Sequence, residues 1–129
     1  MIYLDTCILI YAVEDAGERG RQVRNLLDQH DAEGFAISSL VTLECLVSAY
    51  RSDDADLGER YEAAVERVTV VPMPDAVYRN AARIRADHGL RVPDALHLAA
   101  ARLGGCRTLW TNDRRFARAA GDFAVVVTA

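Results

Sequence analysis

The sequence predicts a parallel α/β sheet covered by helices on both faces. Three observations lead there. Five short apolar runs alternate with helical stretches along the chain. Those runs are apolar on successive residues, as in strands buried on both sides. Pro72, Pro74, Gly89, Gly104, Gly105 and Gly121 fall where the pattern changes.

The elements follow in order. Residues 2–4 read as a strand ending at Asp5, and 6–13 as a helix. A second helix over 18–30 places Val23, Leu26, Leu27 and His30 on one face. Residues 35–38 form the second strand, and Ser39 suits the N-cap of a helix running to about residue 50. The stretch SDDADLG reads as a polar turn. Residues 59–67 then form a helix with Tyr61, Ala64, Val65 and Val68 apolar. The third strand, 69–71, is ended by Pro72 and Pro74. Asp75 caps a helix to about residue 88, closed by Gly89. Pro93 suits the first turn of a helix reaching Leu103, which Gly104 and Gly105 stop. A fourth strand covers 107–110, a short helix 114–120 and a last strand 123–127. No repeat, linker or low-complexity segment interrupts the 129 residues, so a single domain over 1–129 is expected.

Hydrophobic residues at 51% and charged residues at 26% are ordinary for a soluble globular chain. No apolar run approaches the roughly 20 residues that span a bilayer. The opening MIYLD is strand-like and lacks a basic n-region, so no signal peptide is expected. Cys7, Cys45 and Cys106 are odd in number, widely spaced and apolar in context. They read as core fillers rather than a disulfide framework or zinc site, and the cytoplasm is the expected compartment. The net charge of −4 does not advertise nucleic-acid binding. Carboxylates neutralised by a metal would still count in that sum. Every basic residue is Arg, which excludes a Walker A loop and a Schiff-base lysine. It also makes receiver domains and haloacid-dehalogenase-type phosphatases poor fits.

Against this background three acids stand out. Asp5 is the only charge in MIYLDTCILIYAV, Glu44 the only one in FAISSLVTLECLVSAY, and Asp94 the only one between Arg91 and Arg102. An isolated buried carboxylate is expensive unless paired, protonated or bound to metal. Asp113 is a fourth candidate. In a parallel sheet, ligands bind beyond the carboxyl ends of the strands. Asp5 and Asp113 sit just after the first and fourth strands. Glu44 lies about two turns into the helix after the second, and Asp94 in the first turn of its helix. Four acids from distant segments can therefore meet at one edge and hold a hard divalent cation.

Weaker readings stand beside these. Asp113 also suits a cap for RRFARAAG, and Asp94 a dipole partner. His97 reads as a packed helical histidine rather than a second metal ligand. Glu14, Asp15 and Glu18 read as a solvated connection. Arg79, Arg83, Arg91, Arg114, Arg115 and Arg118 are candidate contacts to the phosphates of a ligand or ordinary surface arginines.

The segments MIYLDTCILIYAVE, SSLVTLECL, RVPDALHLAAA and TLWTNDRRF, in this order and spacing, resemble the PIN-domain nucleases and, among them, VapC-type toxins. The resemblance covers nearly the whole chain. It implies a three-layer α/β/α fold with a five-stranded parallel sheet ordered 3-2-1-4-5. It also implies an acidic pocket of Asp5, Glu44, Asp94 and Asp113 holding Mg²⁺ or Mn²⁺, and cleavage of single-stranded or looped RNA. Asp5 and Asp94 would be the most direct ligands, with Asp113 and Glu44 holding waters or a second ion. Thr6 and Asn112 would flank the pocket, and Thr111 and Asn112 would order water. Cys7 departs from the Asn or Ser common in the family, and Arg114 and Arg115 replace a further acid sometimes found there. Metal-activated water would leave 5′-phosphate and 3′-hydroxyl ends. The implied partners are an RNA substrate, a small antitoxin and a second copy of the chain. The segments 40–50 and 61–68 are candidates for the antitoxin groove and the homodimer contact. The competing expectations are a metal-dependent phosphatase on small substrates and an inactive PIN-like RNA-binding module.

Overall fold

The computed structural model describes residues 1–127. Strand β1 (Ile2–Leu4) leads into α1 (Thr6–Glu14) and α2 (Glu18–Gln29). Strand β2 (Phe35–Ser38) leads into α3 (Ser39–Arg51) and α4 (Ala55–Glu66). Strand β3 (Thr69–Val71) is followed by α5 (Asp75–His88) and α6 (Val92–Leu103). Strand β4 (Thr108–Thr111), α7 (Arg114–Ala120) and β5 (Ala124–Val126) complete the order. Single 3₁₀ turns cover Asp31–Glu33 and Gly121–Phe123.

The five strands are parallel and ordered β3-β2-β1-β4-β5, as expected. Ile2, Tyr3 and Leu4 pair with Thr108, Leu109 and Trp110. Right-handed crossovers put α1–α4 on one face, where α1 touches α3 and α4. The return from β3 to β4 puts α5 and α6 on the other, where α6 packs on β2 and β4. Tyr3, Ile37, Leu98 and Leu109 are fully buried between the layers.

Three helix starts differ from the sequence expectation, each for a local reason, and β4 and β5 each begin one residue later than expected. Ser38, not Ser39, is the N-cap of α3, and its hydroxyl is taken by Tyr3 rather than by the helix. Helix α4 begins inside the supposed turn, because the Asp54 side chain accepts from Leu57 N at 3.0 Å. Asp75 is the first residue of α5 rather than its cap and is ion-paired to exposed Arg79. Gly89 closes α5 as expected, at φ 66°, where a side chain would be strained.

Gly20 of α2 lies close against the backbone that leaves α1. A Cβ there would lie 1.9 Å from the Asp15 carbonyl oxygen, a backbone atom. Arg24 donates to that carbonyl at 2.8 Å and to Ala12 O at 3.2 Å, so it cannot move freely. Gly20→Ala is expected to destabilise by about 1–3 kcal/mol despite its better helix propensity. Urea denaturation checks this, and an unchanged midpoint would mean that α2 shifts without strain.

Candidate active site at the carboxyl edge of the sheet

The strand order reverses between β1 and β4, which opens a crevice beyond their carboxyl ends. Asp5 and Asp113 follow these two strands directly. Asp5 is the N-cap of α1 and is only 7% exposed. Its Oδ1 accepts from Thr6 N at 2.9 Å and its Oδ2 from Thr111 Oγ1 at 2.7 Å. Thr111 Oγ1 in turn accepts from Asp113 N at 3.0 Å. Thr111 thus ties the two acids together and gives its hydroxyl proton to Asp5 rather than to water. Asn112 Nδ2 donates to Tyr11 Oη at 2.9 Å.

Asp113 realises both readings suggested for it. Its Oδ1 caps α7 by accepting from Arg115 N at 2.9 Å and Phe116 N at 3.1 Å. Its Oδ2 lies 3.9 Å from Arg91. Arg91 also meets Asp94 Oδ2 at 3.2 Å, so one guanidinium bridges two of the acids. Asp94 sits in the first turn of α6, which Pro93 starts.

Glu44 approaches from α3 on the opposite face. The sequence shows no partner for it, and the fold supplies two. Its Oε1 accepts from Thr6 Oγ1 at 2.7 Å and lies 2.7 Å from His97 Nε2. His97 is also 3.9 Å from Asp5 Oδ1. All four acids thus belong to one network, joined through Thr6, Thr111, Arg91 and His97.

Electrostatics within the network are uneven. Burial pushes the Glu44 carboxyl up, but hydrogen bonds from His97 and Thr6 outweigh it and leave the group below the usual range. Asp94 is held above its ordinary value, first by burial and then by the charges of Asp5 and Asp113, with Arg91 opposing. An acid whose folded value is raised stabilises the fold while protonated. That contribution is present below about pH 3.9 and is lost as pH rises through the raised value. Asp94→Asn is therefore expected to raise the urea midpoint of metal-free protein at pH 7 and to flatten its decline above the ordinary aspartate range. A lower midpoint would show that the Arg91 pair outweighs the burial of the charge.

A divalent cation is the ligand that would relieve this excess of negative charge. Among the described residues no group of three or more His, Cys, Asp and Glu side chains is already arranged as a metal cage. Mg²⁺ in general keeps several waters and takes one or two carboxylates rather than a full protein shell. The all-oxygen set of Asp5, Glu44, Asp94 and Asp113 suits it chemically.

Other candidates fall differently. Cys7 packs against the core as expected, but it is only partly buried and also borders the site, with Sγ 3.7 Å from Asp5 Oδ2. Burial, aided by the Asp5 charge, pushes its thiol up to about 12, so it is unreactive near neutrality. Arg83, Arg114, Arg115 and Arg118 are exposed, and Arg79 is occupied by Asp75. On α3, Leu43, Val47 and Tyr50 are exposed at helical spacing. On α4, Tyr61 is fully buried and bonded to Glu14, so that part of its apolar face is spent inside the molecule. Between α3 and α4 an open groove of about 800 Å³ is lined by Leu46, Ala49, Ala63 and the acids Asp53, Asp54, Glu59, Glu62 and Glu66. No described helix is long and apolar enough to cross a membrane.

His97, read from the sequence as a packed helical histidine, is buried as expected, but its contact with Glu44 was not foreseen. Its one legible sign was the three-residue spacing from Asp94, which places both on one face of α6.

A doubly wound parallel sheet with its polar side chains gathered at the reversal of strand order defines an α/β protein that works at its carboxyl edge. The family model of the PIN domain matches residues 2–122, and the chain belongs to that family, a family of nucleases. No curated protein matches the chain. Among solved structures, it is similar to a toxin-antitoxin complex from Klebsiella pneumoniae, at 24% identity and TM-score 0.77, covering 97% of this chain and 96% of that one. It is similar to VapBC2 from Rickettsia felis bound to a promoter DNA fragment, at 24% identity and TM-score 0.76, covering 92% of each. It is also similar to FitAcB from Neisseria gonorrhoeae, at 20% identity and TM-score 0.73, covering 96% of each.

Proposed function

We propose that this chain, acting as a single domain over 1–129, is a Mg²⁺- or Mn²⁺-dependent endoribonuclease for single-stranded or looped RNA. In this reading it serves in the cytoplasm as the growth-inhibiting toxin of a pair. The observation that carries the proposal is the joining of Asp5, Glu44, Asp94 and Asp113 into one polar network at the crevice of a PIN sheet. When bound there, a divalent cation supplies charge for the phosphate and an activated water. Asp5 and Asp94 would hold it most directly, with Glu44 and Asp113 beside them. Thr6 and Thr111 fix the direction of Glu44 and Asp5. Exposed Arg91, Arg114 and Arg115 lie close in sequence to Asp94 and Asp113 and would contact RNA phosphates, with Arg79 and Arg83 on α5 further candidates.

The fold likeness to toxin-antitoxin complexes supports a small antitoxin as partner. The groove between α3 and α4, lined by both apolar and acidic side chains, suits an amphipathic segment with basic residues. Leu43, Val47 and Tyr50 would complete that contact or join two copies of the chain.

The test is incubation of purified, antitoxin-free protein with total RNA in Mg²⁺, Mn²⁺ or EDTA. Discrete fragments with 5′-phosphate and 3′-hydroxyl ends, formed only with metal, are expected. Cyclic 2′,3′-phosphate ends would sink the mechanism. Intact RNA from folded protein would favour a phosphatase if a phosphomonoester turned over, and an inactive binding module if it did not.

A further inference from the structure

His97 is 1% exposed, and both of its ring nitrogens are engaged. Nε2 lies 2.7 Å from Glu44 Oε1, and Nδ1 lies 2.8 Å from Tyr3 Oη. Tyr3 Oη is in turn 2.8 Å from Ser38 Oγ. Burial pushes the Tyr3 phenol above its ordinary value, so it keeps its proton. The resulting chain runs from the end of β2 through β1 and α6 to α3.

The direction of the bond to Glu44 follows from donor counting. An ionised carboxylate only accepts, so Nε2 must carry hydrogen. With a neutral ring, Nδ1 accepts from Tyr3 and Tyr3 accepts from Ser38. With a charged ring, Nδ1 donates to Tyr3 and Tyr3 donates to Ser38. Nε2 donates to Glu44 in both states, because Tyr3 and Ser38 can reverse together. Turning the ring over would break both bonds and point carbon at the carboxylate.

The bonds to Glu44 are also one-sided. His97 and Thr6 both meet Oε1, and Oε2 takes no bond from the described residues. A half-exposed glutamate with one oxygen clamped has a fixed plane and one oxygen left for a ligand. We propose that His97, locked by Tyr3 and Ser38, is a positioning residue that aims Glu44 Oε2 at the bound cation or its water. The proposal rests on the metal-dependent reading of the acidic site.

Two conservative variants separate aiming from filling space. The amide of His97→Gln reaches the place of Nε2 and keeps a donor for Glu44. The amide of His97→Asn reaches only the place of Nδ1 and keeps the Tyr3 contact. Mn²⁺ affinity is measured by calorimetry for both, beside thermal melts and RNA cleavage. His97→Asn is expected to bind Mn²⁺ about 10–100-fold more weakly and His97→Gln within a few-fold of the parent. Equal affinities in the two variants, or a greater loss in His97→Gln, would overturn the proposal.

Should His97→Asn not fold, the ¹⁵N-labelled parent supplies a second readout. Its Nε2 proton is expected to be protected from exchange and to shift on addition of Mg²⁺. A rapidly exchanging proton, or one that saturating Mg²⁺ leaves unmoved, would overturn the proposal. Mn²⁺ binding that depends on His97 in a protein that cuts no RNA would support positioning and remove the nuclease reading. RNA cleavage by a parent whose Mn²⁺ affinity is indifferent to His97 would do the reverse.

Discussion

Asp5→Asn should lower metal-dependent RNA cleavage by about 10³-fold while leaving the melting temperature nearly unchanged. The loss corresponds to several kcal/mol of charge stabilisation withdrawn from the reacting phosphate, at about 1.36 kcal/mol per tenfold. The fold is expected to tolerate the change because both oxygens of Asp5 serve neutral donors, Thr6 N and Thr111 Oγ1. Asparagine caps a helix about as well as aspartate. Its amide nitrogen can face Thr111 Oγ1 once that hydroxyl turns its proton away. The measurement is cleavage of a mapped RNA fragment by parent and variant at matched Mg²⁺, beside a melt of each. Undiminished cleavage would remove Asp5 from the site. A collapsed melt would make its role structural.

The largest stability effect is expected at Leu109. It is fully buried in β4 and pairs with Tyr3 on one side and Ala124 on the other. Leu109→Ala leaves a cavity between the sheet and the helices that cover it on that side and should destabilise by about 2–5 kcal/mol. That is a large part of the roughly 5–15 kcal/mol available to a domain. Val125→Ala, on edge strand β5 at 45% exposure, should stay within about 0.5 kcal/mol. Urea denaturation with unchanged slope reads both. Similar losses at the two positions would mean that β5 is covered in solution, as by a partner.

Much of the architecture was legible because it is written locally. Apolar runs a few residues long mark the strands, and Gly89 and Pro93 mark where helices stop and start. Three of the four acids were conspicuous because each lacked a charged neighbour in its apolar run. What escaped was written across distance. Glu44 and His97 are 53 positions apart, and nothing near either names the other. Tyr3 looked like an ordinary strand aromatic, yet its hydroxyl links β2 to α6. The start of α4 was hidden differently. The acid that marks it as a cap, Asp54, stands in a polar run that reads equally well as a turn.

Asp113 divides its carboxylate between two duties. One oxygen holds the first turn of α7, and the other faces Arg91 beside Asp94. Losing the cap alone is worth about 0.5–2 kcal/mol. On the proposed toxin reading, a lineage that discards this acid to disarm the protein would also weaken its folding, and leave cells less of the disarmed product. Asparagine escapes that double penalty, since it can still cap the helix. Spontaneous survivors of a toxic copy should accordingly hold more full-length protein when position 113 has become asparagine than when it has become alanine or glycine.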